Sequence, residues 1–202
     1  LSLQGGVSML QGRSLYRLGL DFTHLALGNQ PYLNLTTLVG DWQYQSDQFN
    51  RYGVSLQRSD QAYKNIDTFL DINKTVKVAS GADVRDSRLS NITGFWTRNL
   101  SHAWSPELTL GLNIGEEKNR KGRPDLSRSL WGIRAGGTIQ PAAKWTLGSG
   151  LSYQNSRYER DYAAGLPPRR DDFLALDLSA SYAIDRSWLL RSEYQRIVQQ
   201  ST

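Results

Sequence analysis

The chain has 202 residues, 39% of them hydrophobic, with 18 glycines, no cysteine and a formal net charge of +5 from 24 basic and 19 acidic side chains. The missing cysteine excludes a disulfide scaffold and thiolate metal sites, and no apolar run is long enough for a transmembrane helix, which excludes a helical inner-membrane protein. The charges are scattered and mixed in sign, so solvated loops are expected rather than a basic stripe, and no nucleic-acid partner is expected.

Taken in order, the chain alternates. Leu1, Leu3, Val7 and Met9 oppose Ser2, Gln4, Gly6 and Ser8, and Gln11-Gly12 turns. Tyr16, Leu18, Leu20 and Phe22 then oppose Arg17, Gly19, Asp21 and Thr23. A compact turn at Gly28-Asn29-Gln30-Pro31 precedes a third run, in which Leu38, Gly40, Trp42 and Tyr44 are in phase. Ser46–Asn50 turns, and Tyr52, Val54 and Leu56 follow. Ser59–Asp67 is polar, and Leu70, Ile72, Val76 and Val78 predict another strand, with Lys74 breaking its apolar side. Gly81–Leu89 reads as a loop. Ile92, Gly94, Trp96 and Leu100 are in phase, with Arg98 as a second break. Leu108, Leu110, Leu112 and Ile114 form a clean face after the Ala103–Pro106 turn. A side-chain period of two means strand, because successive residues point to opposite faces.

The second half is more regular. Glu116–Arg128 reads as a long charged loop. In Ser129–Tyr153 two alternating runs meet at Gln140–Lys144, where Pro141 suits a strand end because it has no ladder N–H. Gln154–Asp172 reads as the longest loop. Leu174, Leu176, Leu178, Ala180 and Tyr182 form the next face, Ala183–Ser187 turns, and Trp188, Leu190 and Tyr194 finish. The sum is roughly eleven strands, as a meander without helices of note.

From residue 103 on, short and long connections alternate, as in an outer-membrane barrel with tight periplasmic turns and long outer loops. Trp104, Trp145, Tyr182 and Trp188 flank short turns, and Trp131 and Tyr153 lie at long-loop ends. Aromatic rings prefer the two lipid–water interfaces, so these six are candidate membrane-interface aromatics. Arg17, Asp21, Asp71, Lys77, Arg134, Asp177, Arg191 and Glu193 share the polar parity and are candidate lumen-lining residues, with Asp177 placed to pair with Arg191 on the next strand. A membrane barrel turns the apolar face to lipid, whereas a soluble sandwich buries it. If they face lipid, Lys74 and Arg98 predict register shifts or a protein-facing patch.

The pattern around Trp131–Tyr153, the Arg169-Arg170-Asp171-Asp172 step into a strand and the Leu178-to-Leu190 hairpin resemble the C-terminal barrel of the surface lipoprotein assembly modifier family. The resemblance implies an outer-membrane barrel that helps move lipoproteins or related cargo to the cell surface. It carries over no functional residue, and the periplasmic helical repeats typical of that family do not precede this stretch.

Little points to catalysis. His24 and His102 have no histidine or cysteine at ligand spacing, and Gly148-Ser149-Gly150 lacks the context of a nucleophile elbow, so no metal, cofactor or enzymatic activity is expected. The expected fold is all-β, an antiparallel up-and-down transmembrane β-barrel or a fragment of one. Residues 1–202 are expected to form a single domain, without a signal peptide and incomplete at one or both ends. The expected role is transport or export across the Gram-negative outer membrane, in contact with lipid and lipopolysaccharide and with an exported lipoprotein or other protein as cargo. A passive porin, an adhesin-like barrel and a soluble β-sandwich binding carbohydrate or protein are the alternatives.

Overall fold

The computed structural model describes residues 1–27, 30–64, 85–160 and 167–202. Among these, ten strands form one antiparallel sheet, each hydrogen-bonded to its neighbours in chain order. They are β1 (Ser2–Gln11), β2 (Ser14–Leu27), β3 (Gln30–Gln45), β4 (Asn50–Tyr63), β5 (Ser87–Asn99), β6 (Glu107–Asn119), β7 (Arg128–Ala142), β8 (Trp145–Tyr158), β9 (Arg170–Ala183) and β10 (Leu189–Ser201). A single 3-10 turn, Pro124–Leu126, lies between β6 and β7. The strand predicted over Leu70–Val78, with Lys74, lies outside the described residues.

The register joins the apolar positions into one continuous face. Val7 pairs with Leu18, Leu18 with Gly40, Gly40 with Leu56, Leu56 with Ile92, Ile92 with Ile114 and Ile114 with Trp131. On the far side Leu151 pairs with Leu176, and Leu178 with Tyr194. A slip of one residue would turn a whole strand over. The two irregularities, at Leu25/Ala26 and Ile139/Ala142, fall near strand ends and leave the central parity intact. Of the two outcomes expected for Arg98, a register shift does not occur. Arg98 sits one residue before the end of β5, opposite Asn50 and Leu108, beside a short turn.

Burial is inverted relative to a water-soluble sheet protein. The apolar parity is the exposed one, as in β6, where Leu108, Leu110, Leu112 and Ile114 are 45–59% exposed while the polar residues between them are shielded. Among the described residues Leu130 is the one buried apolar side chain, at 9% exposure. The buried set is otherwise polar: Thr37, Ser59, Ser87, Thr97, Ser127, Asn155, Ser156 and Asp171. The sheet curls around its polar face.

The three longest connections share one end of the sheet. Residues 12–13, 46–49, 100–106, 143–144 and 184–188 connect strands at one end, and 28–29, 64–86, 120–127 and 159–169 at the other. In the 46–49 turn, Asp47 Oδ1 accepts the backbone N–H groups of Phe49 and Asn50, each at 2.7 Å, and the Asn50 side chain donates to both carboxylate oxygens. These bonds, the Asn50 side chain first, hold the Asp47 carboxyl below the ordinary aspartate value of 3.8. A depressed folded value means that the turn keeps this support above the unfolded value and loses it as pH falls through the folded one. The expected result is a carboxyl ¹³C titration of Asp47 with its midpoint below 3.8, and no response of the turn between pH 5 and 8.

Several strands run further than periodicity indicates. β4 continues to Tyr63, β5 begins at Ser87, β6 continues to Asn119 and β8 to Tyr158, shortening the loops expected at 81–89, 116–128 and 154–172. At these ends both faces are polar, so alternation disappears while backbone pairing goes on. The two edge strands, β1 and β10, are exposed along their whole length and do not pair with each other in this structure.

Candidate functional site on the polar face

The polar parity gathers six of the eight candidate lumen residues on the curled-in face. Asp71 and Lys77 lie outside the described residues. Arg17 stands opposite Asp41 on β3, and Asp21 accepts a 2.9 Å hydrogen bond from Thr23 Oγ1. Together with Gln4 and Ser8 they line a trough of about 530 Å³ across β1–β3. Asp41, between Gly40 and Trp42, shares this polar parity although it is not among the eight candidates.

A second trough of about 500 Å³ collects Arg134, Asp177, Arg191 and Glu193, joined by Glu107, over a floor of Gly136, Gly148 and Gly150. Asp177 is its centre. Gln195 Nε2 donates to Asp177 Oδ1 at 2.8 Å, and Arg134 Nη2 lies 3.8 Å from Oδ2. The expected Asp177–Arg191 pair is absent. Register places Gln195 opposite Asp177 and Ser181 opposite Arg191, and Arg191 instead pairs with Glu193 along its own strand. Four residues along a strand is about 13 Å, beyond the reach of that pair.

At the long-loop end the polar face carries a network that the sequence reading missed. Glu117 accepts from Ser87 Oγ at 2.8 Å and from Arg128 Nε at 2.9 Å. Arg128 Nη1 donates to Tyr158 Oη at 3.3 Å, and the Arg169 guanidinium stacks over the Tyr158 ring at 4.9 Å. Arg169 also holds Asp171 through two bonds, of 2.9 and 2.7 Å, and Ser201 Oγ donates to Asp171 at 2.7 Å. Asp171 is 1% exposed, so its charge stands only because these donors surround it. The signal was the parity: Glu117, Arg128 and Asp171 all continue the inward phase of their strands. Glu117→Gln removes the charge that Arg128 and Ser87 share, and the expected loss is about 1–2 kcal/mol of unfolding stability by urea titration.

The six marked aromatics lie on or beside the exposed face. Trp145 and Tyr182 sit on neighbouring strands with centroids 4.9 Å apart, and Trp131 meets Tyr153 at 5.4 Å. Trp104 and Trp188 are exposed in short turns. Tyr44, Tyr52 and Trp96 form a further aromatic row at the short-turn end, paired across β3–β5. Trp96 Nε1 donates to Asn50 Oδ1 at 3.1 Å, and Tyr153 Oη to Asp172 Oδ1 at 2.5 Å, so these rings keep one polar end satisfied.

Both histidines have local partners. His24 Nδ1 lies 2.7 Å from Asn34 Oδ1, and His102 Nδ1 accepts the Trp104 backbone N–H. Among the described residues no group of three or more His, Cys, Asp or Glu is placed to hold a metal ion. The polar face presents mixed charges over a floor of glycines. Comparison with protein-family models and with curated proteins finds no match.

Proposed function

We propose that the chain forms the wall of an antiparallel β-barrel in the Gram-negative outer membrane and serves there as a non-enzymatic conduit for transport or export. The observation that carries this reading is the inverted burial: an apolar face turned outward along every central strand, and a buried set made of serine, threonine, asparagine and aspartate. Water would penalise that arrangement, while lipid favours it. A soluble sandwich, with its apolar face packed, runs opposite to it.

Two further observations fit closure. The described strands number ten, an even count, so β1 and β10 run antiparallel and can pair. The register also staggers. Stepping straight across from Val7, in the middle of β1, leads through Trp131, Asn155 and Asp172 to Gln200, near the end of β10, rather than to its middle at Gln195. Closed barrels require such a stagger, because their strands tilt. Open edges have no place in lipid, where unpaired N–H and C=O groups go unsatisfied.

The long-loop end then faces outward and the short turns face the periplasm. The charged troughs line the lumen and set which solutes pass. The resemblance to surface lipoprotein assembly modifiers supports a lipoprotein or related protein as cargo.

The test is detergent extraction with gel mobility before and after boiling, alongside circular dichroism, followed by planar-bilayer conductance. A β-rich, detergent-requiring species that shifts on boiling supports the membrane wall. Steady conductance without a partner identifies a passive porin, and an occluded pore identifies an exporter. A β protein that stays folded and monomeric in plain buffer would sink the proposal.

A further inference from the structure

Because Gly40 lacks a side chain, the exposed apolar face is not smooth. An open groove of about 590 Å³ runs over it, walled by Leu18, Leu38, Leu56, Ile92 and Ile114. Arg58 stands at its long-loop end, on the outward parity opposite Leu38 and Ser90. Arg58 is exposed and makes no ion pair with any described residue. The one carboxylate at the groove, Glu116, is held by Lys118 Nζ at 3.0 Å.

The row around this mouth carries three arginines and one glutamate. The cross-strand row that contains Arg58 continues through Ser90, Glu116 and Ser129 to Arg157 and Arg170. Arg157 likewise makes no ion pair with a described residue, and Arg170 engages Asp172 at 3.2 Å. A second apolar groove of about 600 Å³ lies toward the short turns, and Arg98 stands on the outward parity opposite Leu108 in its wall, whereas Arg58 itself lines the first groove.

We propose that the Gly40 groove is a lipid site, which takes one acyl chain of a phosphorylated glycolipid, lipopolysaccharide, with a phosphate on Arg58 and the row behind it. The acyl chain removes apolar surface from the groove. Guanidinium presents a planar fork that matches phosphate oxygens two at a time. The commitment to a glycolipid rests on the membrane reading above, in which the long-loop end lies in the outer leaflet.

Gly40 offers an unusually clean test. A Cβ there would meet nothing within 4 Å, so Gly40→Leu starts from open space and projects into the groove, and Gly94, equally open and outside the groove, supplies the control Gly94→Leu. The full chain and the variants Arg58→Gln, Gly40→Leu and Gly94→Leu are folded into phosphatidylcholine vesicles. These contain no additive, purified lipopolysaccharide, its dephosphorylated form, or phosphatidylglycerol at matched charge. Bound glycolipid is counted by native mass spectrometry after detergent exchange.

The expected result is retention of lipopolysaccharide by the parent chain and Gly94→Leu. Retention falls about fivefold for Arg58→Gln, as expected for one basic contact with an anionic leaflet, and at least as far for Gly40→Leu. Dephosphorylation reproduces the Arg58→Gln loss, and raised salt weakens retention. Equal retention by all four proteins overturns the site but leaves the membrane wall standing. Equal retention of phosphatidylglycerol overturns the glycolipid in favour of any anionic phospholipid. A chain that enters no vesicle overturns the membrane reading and the site with it.

Discussion

Leu112→Arg costs about 2–4 kcal/mol of unfolding stability in phosphatidylcholine vesicles, whereas Thr109→Arg, three residues away, costs less than about 1 kcal/mol. Leu112 sits mid-strand on β6, 49% exposed on the apolar face between Gly94 and Ile133. In lipid an arginine there must bring its charge into hydrocarbon or bend away from it. Thr109 lies on the opposite parity and borders the 500 Å³ trough that contains Glu107 and Arg134, where a guanidinium finds room and water. Its hydroxyl lies 3.3 Å from that of Thr97. Urea unfolding of both variants in vesicles measures the difference. A sheet that lived in water would give a different answer, because an arginine on a half-exposed surface position changes stability by no more than about 0.5 kcal/mol. Equal, small effects at both positions would therefore falsify the lipid-facing wall.

The second large effect comes from the inner surface. Gly132→Val is expected to cost about 3 kcal/mol, the upper end of the overpacking range, and to lower the yield of folded protein. Gly132 is buried on β7, opposite Asn113 on β6 and Gln154 on β8. A Cβ at this position would stand 2.5 Å from Asn113 Oδ1 and 2.8 Å from the Tyr153 backbone oxygen. The first can swing aside, but the second belongs to the β7–β8 ladder and cannot. Substitution thus strains the pairing of β7 with β8. The open positions Gly40 and Gly94 are the comparison: leucine at either should leave the unfolding midpoint in vesicles within about 0.5 kcal/mol of the parent. A similar loss at all three glycines would mean that backbone freedom, rather than space, decides.

Gly53 illustrates why the inner face needs such residues. Phe95 points inward from β5, against the polar parity, and its ring covers Gly53 on β4, where a Cβ would collide with it. The sequence reading passed over Phe95 because it follows Gly94 and precedes Trp96, in a run already assigned to the outward face. The same blindness hid Leu130 and Phe173 on the inner side. Alternation identifies which parity is more apolar, but not which residues of the polar parity are exceptions.

Local pattern was strong where lipid-like alternation was strong. Leu108 to Ile114, Trp131 to Ile139 and Leu174 to Tyr182 lie in strands of the expected phase, because a period of two is a property of the extended backbone and needs no partner to be seen. The same parity sufficed to place Arg17, Asp21, Arg134, Asp177, Arg191 and Glu193 on one side. Composition and period alone could not say whether the apolar side faced inward or outward, since a packed sandwich and a curled sheet share the pattern. Only the tertiary structure decided that, through the burial of Ser156 and Asp171 and the exposure of Ile114 and Leu112. It also decided the partners. Asp177 meets Gln195 and Arg134 instead of Arg191, and strand ends such as Gln57–Tyr63 and Gln154–Tyr158 pair although both of their faces are polar. Cross-strand register is set by turns and ladders that join residues far apart in the chain, and a one-dimensional pattern contains no measure of that offset.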